Sequence, residues 1–162
     1  MCGSCAMVIN GKPGLACSVF VNPNKEKVLK IEPLSKFPVV EDLIVDRSII
    51  FQYLKESEMY INQIDDYNEK EFAQKYSVAK CIKCGLCLEV CPNYKKGAKN
   101  FFGGMFANEA YLVNASCATT KDKSKQQYNK HFKKYCSKAL SCQKICPANI
   151  STLSSIGFMN KK

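Results

Sequence analysis

Between residues 81 and 92 the chain reads CIKCGLCLEVCP, and this stretch limits the possible fold more than any other part of the sequence. Cys81, Cys84, Cys87 and Cys91 follow the spacing CxxCxxCxxxCP. Two-residue gaps let three thiolates on one tight loop reach three irons of a cubane, while the fourth cysteine, held ahead of a proline, is directed to another cluster. Zinc is the plainer alternative, but structural zinc usually pairs two CxxC units instead of running three cysteines at this interval. The fold must therefore bring a second cysteine set to this loop from elsewhere in the chain.

YCSKALSCQKICP supplies that set with Cys136, Cys142 and Cys146. The first motif is the signature of bacterial ferredoxins, whose two cysteine sets exchange their last ligand. If Cys146 closes the first cluster as Cys91 closes the second, a [4Fe–4S] cluster falls to Cys81, Cys84, Cys87 and Cys146. The other cluster is then left with Cys91, Cys136 and Cys142. Ala139 stands where the middle cysteine of the second set belongs, so a [3Fe–4S] cluster is expected; water or Cys117 are the remaining ways to hold a fourth iron. A third set opens the chain in CGSCAMVINGKPGLAC, with Cys2, Cys5 and Cys17. Plant-type [2Fe–2S] sites use CxxxxCxxC and a distant fourth cysteine. Counting back from Cys2, the first ligand falls ahead of residue 1, so this ligand set is incomplete, and zinc or uncommitted thiols are its alternatives.

The sequence, 162 residues long, suits two small domains. Met1 runs straight into Cys2 without the basic start and apolar stretch of an export signal, so the eleven cysteines are expected to be reduced, in the cytosol. No apolar run approaches the length of a membrane span. Charge is uneven: residues 1–80 hold ten basic and eleven acidic residues, residues 81–162 fourteen and three. A basic second half suits nucleic acid, an anionic membrane surface, an acidic partner, or simply a solvated lysine face.

Strand-like pieces fill the start: AMVI before Asn10-Gly11, ACSVFV before Asn22-Pro23-Asn24, then KVLKIEP and Leu43–Val45. Asn10-Gly11 suits a two-residue hairpin turn. Ser48 is placed to cap a helix through about Glu58, with Ile49, Ile50, Tyr53 and Leu54 as its apolar stripe. A linker is expected around Asn62 to Asn68, then helices from Lys70 onward, and a frayed end at Lys161-Lys162.

Taken in order, CGSCAMVINGKPGLAC, FPVVEDLIVDRS, CIKCGLCLEVCPN and CxxxxxCxxxCP resemble the iron–sulfur subunit of succinate dehydrogenase and fumarate reductase over nearly the whole chain. PNY after Cys91 and the absence of tryptophan resemble its bacterial menaquinone-linked branch. The resemblance implies an α+β fold: a partial β-grasp [2Fe–2S] ferredoxin domain over residues 1–61, then an all-α bacterial-ferredoxin-like domain over 62–162 holding two clusters. It implies an electron-transfer subunit that does no substrate chemistry itself. Electrons would pass between the FAD of a flavoprotein subunit and quinone at a cytochrome b-type membrane anchor, with [2Fe–2S] nearest the flavin and [3Fe–4S] bordering the quinone. The chain would lie peripherally on the cytoplasmic side of a bacterial membrane and bind no nucleic acid, with some lysines of 121–138 docking and others merely solvated.

The departures from the family also carry expectations. Tyr94-Lys95-Lys96 and Ser137 stand where ubiquinone-linked members have a tryptophan and a histidine, which argues for menaquinone over ubiquinone. His131, the single histidine, is expected at the surface, and Cys117 as a small buried hydrophobe. Family members carry a segment before CGSC that supplies the first hairpin and the first ligand, so the sequence reads as a fragment rather than as one of two separate polypeptides. Subunits of heterodisulfide reductases or of glycolate and glycerol-phosphate oxidases are rivals, opposed by Ala139 and the opening motif. A zinc-stabilised nucleic-acid-binding module is the rival from another class.

Overall fold

Asn10 and Gly11 both take positive φ, 48° and 75°, the backbone that a two-residue hairpin requires. They join β1 (Ala6–Ile9) to β2 (Lys12–Leu15) as an antiparallel pair. β3 (Ile31–Glu32) adds to the other edge of β1, giving the order β2-β1-β3, and Asn10 Oδ1 accepts the Lys30 N–H at 2.9 Å beside it. The structure is a computed structural model that describes residues 2–24, 28–61, 69–117 and 119–161, with residues 69 and 70 described for their backbone. The expected linker at 62–68 and the end at Lys162 lie outside the described residues.

ACSVFV is not a strand. The tight turn makes pairing resume at Lys12, and the ladder reaches the beginning of β1 when Leu15 faces Ala6, leaving the next residues no partner. Ala16–Ser18 form one 3₁₀ turn, and Val19, Phe20 and Val21 run on exposed. Of KVLKIEP, only Ile31 and Glu32 meet β1.

A hairpin of β4 (Val39–Glu41) and β5 (Ile44–Val45) follows, turning through Asp42 at φ 45°. Leu43 belongs to that turn, so the strand expected from it begins one residue later. α1 (Ser48–Glu56) starts close to where expected, but Ser48 is its first residue and not its cap: Arg47 holds the N-cap position without a side-chain bond, and the Asp46 carboxylate accepts from the Ser48 N–H at 2.8 Å and hydroxyl at 3.0 Å. It ends before Glu58, which takes φ 52° while the Met59 N–H reaches back to Leu54 O at 2.9 Å, a Schellman closure.

Residues 69–161 contain helices and no strand among the described residues: α2 (Glu69–Ala79), α3 (Leu86–Glu89), α4 (Gly103–Ser116), α5 (Lys121–Tyr128), α6 (Ser141–Lys144) and α7 (Thr152–Asn160). α4 is apolar or small on nearly every face and is buried from Gly103 to Ser116 apart from partly covered Glu109, Leu112 and Ala115. A helix with no polar side becomes the axis of its domain, and α2, α3, α5, α6 and α7 all pack on it. Polar ties fix the packing: Asn114 Nδ2 donates to Lys121 O at 2.7 Å and Ser124 Oγ at 2.8 Å, and Gln74 joins α2 to Ser151, at the N-cap of α7, and to Ser155 within it.

α1 closes the two halves on each other. Tyr53 stacks on Phe102 at 4.0 Å between ring centroids, and its hydroxyl lies 3.1 Å from that of Tyr94 and 2.5 Å from Ala98 O. Phe102 in turn stacks on His131 at 4.1 Å. His131 is therefore not the surface residue expected from its lysine-rich neighbours. A π-helical turn at Asn129–Lys133 carries its ring inward against Phe102 and Phe106, and burial lowers its pKa.

Candidate metal centres

Each helical-region cysteine loop is shaped by two left-handed residues. In the first they are Lys83 (φ 52°) and Gly85 (φ 86°), followed at once by the one-turn helix α3. In the second they are Lys138 (φ 58°) and Leu140 (φ 56°), followed by the one-turn helix α6. The two loops thus repeat one backbone course, with Cys81, Cys87 and Cys91 of the first matched by Cys136, Cys142 and Cys146 of the second, and Cys84 matched by Ala139. Alternation of right- and left-handed residues turns successive backbone N–H groups inward, a concavity suited to an anionic group such as an iron–sulfur cluster.

Between these loops and α4 lies a cavity of about 460 Å³, its open mouth included, lined by Cys81, Cys84, Cys87, Cys142 and Cys146. A second, of about 290 Å³, is lined by Cys91, Cys136, Ala139 and Cys142. Cys142 stands between the two. Cys117, buried at the end of α4 as expected, lines neither.

The thiols feel each other across these spaces. Burial pushes Cys87 well above the ordinary thiol range, and Cys81, Cys84 and Cys142 add to the effect. Burial also raises Cys84, with Cys81 and Cys146 as its charged neighbours. Cys142 and Cys136 are raised by burial and then by Cys91. Without metal these thiols hold their protons, and metal binding must displace them. Backbone N–H groups already point at several sulfurs: Lys138 N lies 3.4 Å from Cys136 Sγ, Leu86 donates to Cys84, and Met105, at the start of α4, to Cys87. Such donors stabilise coordinated thiolate.

These residues fit a cluster. Asn108 of α4 is 4% exposed and lines the larger cavity, and its Oδ1 has no partner while Nδ2 meets Thr152 Oγ1 at 3.2 Å. Turned over, the carboxamide would accept from the Thr152 hydroxyl and offer its N–H groups to the cavity. Among the described residues no three cysteine, histidine or carboxylate side chains converge on a point that one ion would occupy. A tetrahedral zinc would draw its sulfurs to about 3.8 Å from one another, whereas a cubane presents irons that are themselves apart.

The opening set is built differently. Cys5, just before β1, and Cys17, in the 3₁₀ turn just after β2, meet at the open end of the hairpin, the Cys17 N–H and thiol bonding to Cys5 and lowering its pKa, and the Ala16 N–H donates to Cys5 O at 3.0 Å. Cys2 is exposed beside Ser4, whose hydrogen bonds lower its pKa. Gly3 brings this loop against the first helical-region loop: a Cβ there would lie 2.8 Å from Cys84 Cβ.

Two family models match the chain, a 2Fe-2S iron-sulfur cluster binding domain over residues 1–52 and a 4Fe-4S dicluster domain over residues 77–150. The succinate dehydrogenase iron-sulfur subunit of Bacillus subtilis is 33% identical, over 99% of this chain and 67% of its own length. The chain belongs to the succinate dehydrogenase and fumarate reductase iron–sulfur subunits. The fumarate reductase iron-sulfur subunit of Wolinella succinogenes is 27% identical over the whole of this chain and 73% of that one. In fold, a chain of the Mycobacterium smegmatis Sdh1 complex in the apo form matches with a TM-score of 0.78, covering 98% of this chain and 72% of that chain at 23% identity. The family carries the function expected from the motifs, electron transfer through iron–sulfur clusters within an oxidoreductase complex, and nothing in these likenesses favours the rival subunits or a nucleic-acid module.

Several residues around the loops escape motif reading. Glu89 accepts from Ser35 N at 3.1 Å, Ser35 Oγ at 2.6 Å and Lys36 N at 3.1 Å, and Lys36 Nζ donates to Cys91 O at 2.5 Å. Gly104 lets α4 approach Cys142, whose Cβ and Sγ would lie 2.7 and 2.8 Å from any added Cβ. A glycine pair opening an apolar helix was the one visible signal.

Proposed function

We propose that Cys81, Cys84, Cys87 and Cys146 hold a [4Fe–4S] cluster, that Cys91, Cys136 and Cys142 hold a [3Fe–4S] cluster, and that Cys2, Cys5 and Cys17 contribute to a [2Fe–2S] cluster. The observation that carries this reading is the exchange of neighbours: Cys146 stands by Cys84, and Cys91 by Cys136 and Cys142. Ala139 lines the smaller cavity in the place of a fourth thiol, which favours three irons there. Bound, these clusters supply one-electron redox chemistry at potentials tuned by burial and hydrogen bonds to sulfur. The chain's own part is to space the ligand loops, keep water from the inner thiols and direct N–H groups at the sulfurs.

The same reading places the chain as a non-catalytic subunit between an FAD-containing flavoprotein and a cytochrome b-type membrane anchor that binds menaquinone, peripheral on the cytoplasmic face. Its domains divide near residue 61. No helix among the described residues is long and apolar enough to cross a membrane. Exposed Lys121, Lys123, Lys130, Lys133, Lys134 and Lys138 suit docking at anionic headgroups, each worth about 1 kcal/mol near such a surface. Tyr94 is buried against Tyr53 and serves packing there, while Lys95 and Lys96 follow it exposed.

Electron paramagnetic resonance with iron counting, on the chain and on the assembled complex, tests the reading. A [3Fe–4S] signal is expected in the oxidised protein, and Ala139→Cys should replace it with a second [4Fe–4S] centre. A second [4Fe–4S] centre already in the wild-type protein, with no [3Fe–4S] signal, overturns the assignment.

A further inference from the structure

Arg47 stands between two cysteine loops that belong to different regions of the chain. One guanidinium nitrogen, Nη1, donates to Gly3 O at 2.6 Å and to Cys84 O at 3.1 Å. Gly3 lies in the Cys2–Cys5 loop, and Cys84 is a thiol of the first helical-region loop. The two carbonyls would otherwise repel each other across a contact so close that Gly3 admits no side chain. Gly3 is buried at φ 76°, so its loop has little freedom to turn its carbonyl elsewhere.

The placement of Arg47 is itself over-determined. It precedes α1, whose first N–H donates to Asp46, and the Asp46 N–H is bonded to Pro38 O at 2.8 Å. Its stem passes Gly85, where an added Cβ would lie 3.6 Å from Arg47 Cδ and 2.8 Å from Phe37 Cζ. Phe37, fully buried, and Arg47 thus clasp the left-handed glycine from the amino-terminal side. A guanidinium holds its donors in one rigid plane, whereas a lysine ammonium, although it has donors enough for two carbonyls, sits on a shorter and flexible stem that does not fix their direction.

We propose that Arg47 is a positioning residue for electron transfer, a charged pin that holds the Cys2–Cys5 loop at a set distance from the Cys81–Cys87 loop. The proposal rests on the ligand reading above only in naming what the loops carry. Two charge-assisted bonds bias the docked arrangement over an undocked one by about tenfold or more. The pin fixes the separation of the ligand loops and does not touch the reacting centres.

The test uses the full chain and the assembled complex with Arg47→Met, which keeps the stem over Gly85 but has no donor, and Arg47→Lys. Wild-type iron content is expected in both, with weaker spin–spin coupling between the reduced [2Fe–2S] and [4Fe–4S] centres in Arg47→Met and partial recovery in Arg47→Lys. Hydrogen exchange of residues 2–9 and 82–88 is the second readout, expected to rise about tenfold in Arg47→Met. Unchanged exchange in that variant overturns the proposal, because packing of the stem would then account for Arg47. A wild-type protein without the [2Fe–2S] signal would count against the ligand reading alone, and hydrogen exchange would still decide the role of Arg47.

Discussion

Cys2 and Cys17 stand exposed at the edge of a three-stranded sheet, while Cys87 lies behind α4 with four other thiols around one cavity. The chemistry of the two regions runs in opposite directions. Hydrogen bonds from Ser4 lower Cys2, and those from Cys17 lower Cys5, so these two thiols give up their protons more readily than an isolated thiol does. Burial raises Cys84, Cys87, Cys136 and Cys142, so the helical region favours protonated thiols until metal displaces the protons. The two regions therefore make different demands on an incoming metal: in the helical region it must displace protons from buried thiols, while the exposed thiols at the sheet bear less of that cost.

The largest test of that comparison removes one thiol from each region. Cys146→Ser should lose the [4Fe–4S] centre together with about 4 kcal/mol or more of stability, because its partners remain buried without their metal. Cys17→Ser should disturb the [2Fe–2S] spectrum while the helical region keeps its stability within about 0.5 kcal/mol. Iron analysis and denaturant unfolding followed by circular dichroism check both; equal losses would break the comparison.

A smaller effect is expected from glycines. Gly104→Ala places a Cβ against Cys142 Cβ and Sγ and should cost about 1–3 kcal/mol while altering the spectrum of the nearby cluster. Gly11→Ala meets open space and bears only the left-handed backbone cost, about 1 kcal/mol, with no spectral change. A spectral change from Gly11→Ala would mean that the hairpin turn communicates with a ligand loop.

High pH probes the closed core of the helical region. Burial pushes Tyr111 and Tyr128 up to about 12, above the ordinary value of about 10 that they regain on unfolding. Between these values the unfolded chain binds fewer protons than the folded one, so the stability they contribute is present below pH 10 and lost as pH rises through about 12. The part of the tyrosinate absorbance near 295 nm that Tyr111→Phe and Tyr128→Phe remove should appear together with loss of helix. If that part appeared near pH 10 with helicity intact, water would be reaching α4.

The smallest effect is at the surface. Lys123 meets Glu58 at 2.5 Å, both side chains largely exposed, and Lys123→Ala should change stability by less than about 1 kcal/mol, with the difference fading in salt. A larger change in thermal unfolding would mean that charge, and not the Tyr53–Phe102 stack, holds the two regions together.

Local chemistry was legible wherever a residue's own geometry decides the outcome. Asn10-Gly11 made its hairpin, the start of α1 was recognisable, and the cysteine spacings announced both helical-region loops. ACSVFV failed because a strand needs a partner, and its apolar residues say nothing about where the β1 ladder runs out. His131 failed because its neighbours on the chain are lysines, whereas its neighbours in space are Phe102 and Phe106, brought to it by a π turn that no periodicity betrays.

By itself the sequence determined the identity and number of the thiols, the absence of one at Ala139, and the division into a sheet-forming half and a helical half. Spacing along the chain is enough for that, because a ligand loop is a local object. Only tertiary structure decided which thiols share a space, that Leu140 adopts the same left-handed backbone as Gly85, and that Arg47 and Lys36 reach across from one region to carbonyls in the other. Those contacts join residues 37 to 55 positions apart, and only the packing of both regions around α1 and α4 brings them within hydrogen-bond reach.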